Sequence, residues 1–457
     1  MNKKASEKQW NKIGKRNHHG ICVPLFSLHS KESCGIGEYL DLIPLIHWCR
    51  DIGLDVVQLL PLNDTAGRPS PYSAVSAFAL NPIHLSLTAL PDAIGSSTLA
   101  ELRKLTARKL IDYERVWTLK QRYLRRYYKE RYPAVALSGE YRDFIKSAYW
   151  LKDYADGDHF SAFVQYLCHC QMKAVSHAAK TSGILLKGDI PILLSRQSVD
   201  CKKHPDLFDF SLDAGAPPDD YAAKGQNWSF PLFDWDNNSS GIIDWWEKRL
   251  RHAARYFQLY RLDHVIGLFR IWGIPRGRPA TEGAFVPPGP PERWDRDGCK
   301  RLKAFLRGCA MLPIAEDLGT VPPGLHATLR HLGIPGTKVM RWEHIPVSKY
   351  PKESMTTVST HDTPTLWQWF HDEGYSGIKR YRKLLHLSHH SNSYFHINLL
   401  QEYFPLTQGM LWGVPKEERI NDASKPLKRN WRYRHRPSVE MITADRQLAD
   451  AIASLLR

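Results

Sequence analysis

Tyr260-Arg261-Leu262-Asp263-His264 carries an apolar, β-prone run into a polar loop by way of a carboxylate, and reading it as a strand end decides the fold. Two further segments have the same form: Leu312-Pro313-Ile314-Ala315-Glu316-Asp317 and Val358-Ser359-Thr360-His361-Asp362. Each reads as the end of a buried strand. A parallel (β/α)8 barrel gathers its functional side chains at the C-terminal rim of its strands. Three acids at three strand ends therefore predict a TIM barrel with all three on one rim.

The spacing agrees. From Asp263 to Glu316 is 53 residues, one βα unit plus a Pro-rich loop; from Glu316 to Asp362 is 46, two compact units with Gly336-Thr337-Lys338-Val339-Met340 as the strand between. Upstream, Ile21 to Leu25 reads as a first buried strand. An approximate helical stripe follows at Leu40, Ile43, Ile46 and Trp48, then the β-rich run Val56 to Leu60 ending at Pro61. Strand, helix and strand within forty residues make one βαβ unit. The next comparable run, Ile184-Leu185-Leu186, precedes Gly188-Asp189-Ile190-Pro191.

The whole chain, 1–457, is thus expected to be one catalytic barrel, which takes roughly 250 residues and tolerates long insertions. Residues 65–180 read as a mainly helical insertion, with His159 to Ala179 the clearest helix. Residues 190–257 read as an irregular insertion rich in Pro, Asp and aromatics, returning to helix over Ile243 to Tyr256. The Pro-dense tract 274–297 reads as a rim loop or lid, since long loops in compact domains are commonly binding elements.

Hydrophobic residues make up 43% and charged residues 24% of the chain, near globular averages, which argues against disordered, collagen-like and coiled-coil classes. Eight cysteines are scattered without a CxxC pair, so reduced thiols are expected. Cys168-His169-Cys170, a single CxC on a predicted helix, fits tetrahedral zinc poorly, and no metal is expected. No stretch approaches the ~18 apolar residues of a membrane span, and Ile21 to Phe26 is too short for a secretory h-region; the expected compartment is the cytoplasm. The formal charge of +16 raises the question of nucleic acid. The basic residues are spread along the chain without a recognisable motif, so a solvated basic surface is expected and no nucleic-acid partner.

Paired carboxylates at one rim suit glycosidic bond cleavage. A retaining mechanism needs a nucleophile about 5–5.5 Å from an acid/base group. Asp263 suits the nucleophile, because Arg261 two residues earlier on the same strand face can keep it ionised. Glu316 suits the acid/base, because Pro313, Ile314 and Ala315 supply apolar surroundings that raise its pKa toward neutrality. Each segment alone has another reading. Arg261–Asp263 reads equally as an ion pair closing a barrel layer; Glu316-Asp317 and His361-Asp362-Thr363-Pro364 read as helix N-caps. Only the combination favours catalysis. Sugar sites also use aromatic platforms, and Tyr72, Trp228, Phe230, Trp235, Trp272 and Trp294 fall in the expected rim loops.

At this level of detail the chain resembles the 4-α-glucanotransferases, the amylomaltases or disproportionating enzymes of glycoside hydrolase family 77. The resemblance rests on Cys34-Gly35-Ile36-Gly37-Glu38-Tyr39, Ser70-Pro71-Tyr72-Ser73, Gly188-Asp189-Ile190-Pro191, His204-Pro205-Asp206-Leu207-Phe208 and Gly225-Gln226-Asn227-Trp228. It continues through Arg261-Leu262-Asp263-His264, Ala315-Glu316-Asp317-Leu318-Gly319, Thr360-His361-Asp362, Glu418-Arg419-Ile420-Asn421 and Asn430-Trp431-Arg432-Tyr433-Arg434. It implies a (β/α)8 barrel that cleaves an α-1,4-glucan and transfers the new end to the 4-hydroxyl of glucose or another glucan. In that pattern Asp263 is the nucleophile, Glu316 the acid/base and Asp362 the carboxylate holding hydroxyls of the distorted sugar. Arg261, His361, Tyr72, Asp189, Trp228 and His264 are the implied substrate-binding residues. Maltooligosaccharides and α-1,4-glucans are the implied partners, and no cofactor is implied.

The chain also departs from the pattern. Ser229-Phe230 stands where Gly-Asn is usual, Val265-Ile266-Gly267-Leu268 replaces Phe-Arg-Gly-Phe, and Phe285-Val286-Pro287-Pro288 replaces Tyr-Val-x-Tyr-Pro. Pro405-Leu406-Thr407-Gln408-Gly409-Met410 replaces Pro-Leu-Gln-Asp-Leu-Leu. These changes spare the three acids but alter the walls around them. An α-glucan hydrolase and a catalytically inactive glucan-binding protein remain the alternative readings.

Overall fold

The computed structural model describes residues 4–218, 222–423 and 427–457. Eight parallel strands close a barrel in chain order: β1 His18–Val23, β2 Val56–Leu59, β3 Leu185–Ile190, β4 Leu259–Leu262, β5 Leu312–Ala315, β6 Gly336–Val339, β7 Ser354–Thr357 and β8 Phe395–Leu399, which returns to β1. Val56, Val57, Leu59, Leu259, Leu312 and Ile314 are fully buried, as expected of strands covered on both faces.

Boundaries differ from the sequence reading in instructive ways. The first strand starts at His18, and β3 runs on through Gly188-Asp189-Ile190. The first crossover helix is Leu42–Asp51, buried along Leu42, Leu45, Ile46, Trp48 and Cys49; Leu40 and Ile43 are only half-buried. β7 ends at Thr357, so Asp362 stands in the loop beyond the strand and not at its tip. β7 and β8, with sequences Ser-Met-Thr-Thr and Phe-His-Ile-Asn-Leu, have no apolar run to announce them. Their outward polar groups instead find partners: Thr356 Oγ1 bonds the hydroxyls of Ser391 and Ser393 at 2.8 Å, and Asn398 accepts from Val358 N–H at 2.9 Å.

Between β2 and β3 lie five α-helices: Ser97–Thr106, Tyr113–Val135, Gly139–Ser147, Leu151–Ala155 and His159–Thr181. The last packs on the Leu42–Asp51 helix and on β3, so it serves as the crossover helix of the barrel wall. After β3, a four-stranded antiparallel sheet of Gln226–Asn227, Leu212–Ala216, Ile271–Pro275 and Ala284–Val286 stands beside the barrel mouth. The helix Trp235–Ala253 occupies the end of the tract expected to be irregular.

Residues 274–297 are not a loop throughout. Ala284–Val286 pairs with Ile271–Pro275, and a helix begins at Pro291. Two of the six prolines that suggested a loop, Pro290 and Pro291, are the N-cap and first helical position, where a missing N–H costs nothing.

The opposite mouth is closed by the helix Glu7–Ile13. Gln9 Nε2 donates to the carbonyls of Leu306 and Cys309 at 2.7 and 2.8 Å, and Trp10 Nε1 donates to Gly333 O at 2.8 Å. With one end closed, access to the interior is from the C-terminal rim.

Gly20 marks a tight seam between two barrel strands. A Cβ there would lie 2.4 Å from Val56 O and 2.7 Å from Val56 Cβ, on the neighbouring strand. Gly20→Ala is expected to force β1 and β2 apart and to cost about 1–3 kcal/mol, read as a lowered denaturant midpoint. A midpoint equal to that of the parent contradicts this packing.

Candidate active site

Strand periodicity builds the site. Residues two apart share a face, so Arg261 and Asp263 at the end of β4 point inward together. Register pairs Arg261 with Asp189 on β3 and with Ile314 on β5, which puts Glu316 at the next inward position. The Arg261 guanidinium binds this group together. Its Nη1 lies 2.7 Å from Asp263 Oδ1 and 3.0 Å from Asp189 Oδ1, and its Nη2 lies 3.6 Å from Glu316 Oε2.

Exposure separates their parts. The side chains of Asp263 and Glu316 are 19% and 15% exposed at the cleft, whereas Asp189 is 0% exposed. The sequence reading places Asp189 against substrate. The structure places it behind Arg261, where it also accepts from the Tyr72 hydroxyl at 2.8 Å. It is not among the residues that border the cleft.

Glu316 accepts two backbone N–H bonds, from His264 at 2.8 Å and Leu318 at 3.1 Å. Burial nevertheless pushes its carboxyl up to about 8, with nearby Asp263 adding to the rise and Arg261 opposing it. His264 makes its bond from a left-handed backbone, φ 42°, a conformation costing about 1–3 kcal/mol in a non-glycine residue. Burial lowers the imidazole of His264 to about 4, which keeps it neutral, and its ring meets Trp228 edge-on at 4.9 Å.

A second cluster forms the facing wall. His361 Nε2 lies 3.0 Å from the Tyr72 hydroxyl and 3.1 Å from Asp362 Oδ2. With the Tyr72 proton committed to Asp189, the Nε2–H of His361 is shared between the Tyr72 and Asp362 oxygens. Asn421 Nδ2 donates to Asp362 Oδ1 at 2.6 Å. Burial would raise Asp362, but His361 and the Asn421 amide together hold it well below the usual carboxylate range. Its side chain is 40% exposed at the cleft. The loop is anchored from behind by buried Glu402, which accepts from Leu366 N–H at 2.9 Å and from the hydroxyls of Ser359 and Tyr381. Trp431, also left-handed at φ 65°, places its ring 5.6 Å from Tyr72 and 5.8 Å from His361.

These groups line one cleft of about 1320 Å³, larger than the roughly 300–1,000 Å³ of a pocket for a drug-sized ligand. Arg261, Asp263, His264, Glu316, His361, Asp362, Tyr72 and Trp228 all border it, and so do Phe230 and Trp272. Trp235 does not; it packs on Phe233 with the Arg301 guanidinium 4.2 Å from its ring. Trp294 stands behind Phe285. Asn421 and Trp431 fall in segments that resemble the family, but nothing in their spacing marks them as partners of Asp362 and Tyr72. Lys187, two residues before Asp189, points into the barrel beneath the cleft. Its Nζ donates to Gln58 Oε1 at 2.9 Å, and burial lowers it to about 7. The alternation Lys-Gly-Asp on a strand could have revealed it.

A closed (β/α)8 barrel with inward carboxylates around one guanidinium and aromatics along the rim defines the class of barrel enzymes that act on sugars. The chain belongs to glycoside hydrolase family 77, whose model, described as 4-alpha-glucanotransferase, matches residues 23–157 and 156–440. It is 36% identical over 516 residues to a 4-alpha-glucanotransferase of Chlamydia muridarum, covering 98% of this chain and 97% of the relative. A Chlamydia pneumoniae 4-alpha-glucanotransferase is 37% identical over 515 residues, at 98% and 97% coverage. The fold matches that of an amylomaltase from Streptococcus agalactiae in complex with acarbose, with a TM-score of 0.80 at 20% identity, over 96% of this chain and 98% of that one. Membership in this family favours transfer over the hydrolase and inactive readings. No helix among the described residues is long and apolar enough to cross a membrane.

The raised Glu316 pKa has a consequence for stability. Its folded value of about 8 exceeds the ordinary 4.5, so between those values the native state holds a proton that the unfolded chain has released. Stability contributed by this group therefore falls as pH rises through that window. Glu316→Gln, which cannot ionise, is expected to gain melting temperature relative to the parent on going from about pH 5 to about pH 9. A variant-to-parent difference that is the same at both pH values contradicts the assignment.

Proposed function

We propose that this chain cleaves α-1,4-glucans and transfers the released segment to the 4-hydroxyl of glucose or a second glucan, with maltooligosaccharides as donors and acceptors. In the first half-reaction an Asp263 oxygen attacks the anomeric carbon. The bond from that carbon to the glycosidic oxygen breaks, and the proton on Glu316 passes to the leaving oxygen. In the second, the acceptor 4-hydroxyl attacks the same carbon, its proton returns to Glu316, and Asp263 departs as carboxylate. Two inversions leave the α-configuration unchanged.

Each neighbour has a part. Arg261, bonded to Asp263 at 2.7 Å, orients the nucleophile and spreads the charge of the departing carboxylate. Asp362, held anionic by His361 and Asn421, suits the hydroxyls of a sugar distorted toward an oxocarbenium ion, and His361 and Tyr72 shape that position. Trp228 and His264 form the wall beside Glu316. Water is displaced as the acceptor when a second sugar is held in attack geometry, because effective molarity can then exceed that of bulk solvent. Cysteines scattered along the chain without a CxxC pair suit a cytoplasmic setting.

The observation that carries this reading is Asp263 and Glu316 bordering one cleft from adjacent strands, both within reach of the Arg261 guanidinium, with Glu316 kept protonated by burial.

Incubation with maltotriose is expected to give glucose together with a ladder of longer oligomers. Asp263→Asn is expected to lower the rate by roughly 10³-fold or more. Glucose and maltose without longer products contradicts transfer, and a near-parental rate for the variant contradicts the nucleophile. In the pH profile of kcat/KM, the alkaline limb is expected near pH 8, where Glu316 loses its proton, and is expected to disappear in Glu316→Gln.

A further inference from the structure

Arg270 lies in the short link between the turn Val265–Leu268 and the strand Ile271–Pro275, on the cleft wall away from the barrel. Its guanidinium carbon is 3.7 Å from the centroid of the Phe285 ring and 4.6 Å from that of Trp294. Those rings are 6.4 Å apart with their planes at 58°, so they form an open V around the cation. The V is held from outside: Trp294 Nε1 donates to Pro287 O at 2.9 Å, and Trp272 meets Phe285 edge-on while donating to Ala280 O at 2.9 Å.

What Arg270 lacks is an acceptor. Among the described residues, none accepts a hydrogen bond from its guanidinium, and its Nε is buried without a partner. The other cleft arginines are occupied: Arg261 by three carboxylates, Arg341 by the carbonyls of Val358 and Pro364, and Arg419 by Asn421 O and Asp422. Burial lowers the Arg270 pKa, and among the described residues no charged neighbour contributes.

A guanidinium stacked on rings keeps its in-plane N–H edge free and rigid. That edge offers parallel donors spaced for two neighbouring oxygens. An oxyanion site would call for a further cation, and among the described residues none acts on Arg270. Trp272 and Phe285 border the same stretch of cleft, offering apolar faces of the kind on which a pyranose ring stacks. The geometry points to Arg270, with Trp272 and Phe285, as a sugar-binding subsite remote from the scissile bond, where the guanidinium donates to vicinal hydroxyls of a glucosyl unit. This rests on the glucan-transfer reading and names a further specificity-determining residue for it. Binding there is the same in ground and transition states, so it acts on KM and only for chains long enough to reach it.

The test is self-disproportionation of maltotriose and of maltoheptaose by the parent, Arg270→Met and Arg270→Lys, with melting temperatures alongside. Parental ladder formation checks the underlying reading independently of the variants. For Arg270→Met, KM for maltoheptaose is expected to rise on the order of 10-fold, with kcat and the maltotriose KM within about 2-fold of parent. Arg270→Lys is expected to recover part of the loss. An equal loss for both substrates with a lowered melting temperature would make Arg270 a brace for the hairpin and overturn the proposal. An unchanged maltoheptaose KM would overturn it too. So would competitive inhibition by inorganic phosphate that the parent shows and Arg270→Met loses, which would mark an anion site.

Discussion

The Arg261 guanidinium is the constraint on which the site depends. A barrel interior cannot hold three carboxylates close together without a compensating charge, because burial disfavours the ionised form of each and mutual repulsion adds to the cost. Arg261 supplies that charge from the C-terminal end of β4. Asp189 behind it and Tyr72 beside it hold its orientation. Removing the cation would leave buried acids without a partner, so stability and chemistry share one residue.

Two carboxylates on neighbouring strands acquire opposite characters from what surrounds them. Asp263 has the shortest contact with the guanidinium, whereas Glu316 has a longer one, and its burial favours the protonated form. Asp362 is drawn the other way by an imidazole and an amide on the facing wall. A protonated Glu316 and an anionic Asp362 on one cleft, with Asp263 held against a guanidinium, suit retaining glycosyl transfer. Backbone strain at His264 and Trp431 is concentrated at the same place, where the surrounding packing holds both residues.

Much of this was legible in the residues. Asp263 and Glu316 follow apolar strands, and period-two spacing alone puts Arg261 beside Asp263. Asp362 reads as a strand end, but its strand, Ser-Met-Thr-Thr, ends five residues earlier, and the apolar Val358 lies in the loop. The sequence reading misplaces β7 and has no signal for β8, because their polar side chains are satisfied by distant residues, Thr356 by Ser391 and Ser393 and Asn398 by Ser388, contacts that no local pattern encodes. The hairpin over Ile271 to Val286 was hidden by prolines, and Trp235 by turn residues that look exposed but precede a buried helix. Asn421 and Arg270 depend on partners that the fold brings to them, Asp362 and the rings of Phe285 and Trp294, and sequence spacing carries no such information.

The central claim is that Asp263 forms the covalent bond to sugar while Glu316 manages protons. Glu316→Gln treated with an α-maltosyl fluoride donor isolates it, because fluoride leaves without acid assistance while the second step lacks its base. Intact-protein and peptide mass spectrometry should then find one maltosyl unit accumulated on the peptide carrying Asp263. A maltosyl unit on any other residue, or no adduct while fluoride is still released, would contradict the account.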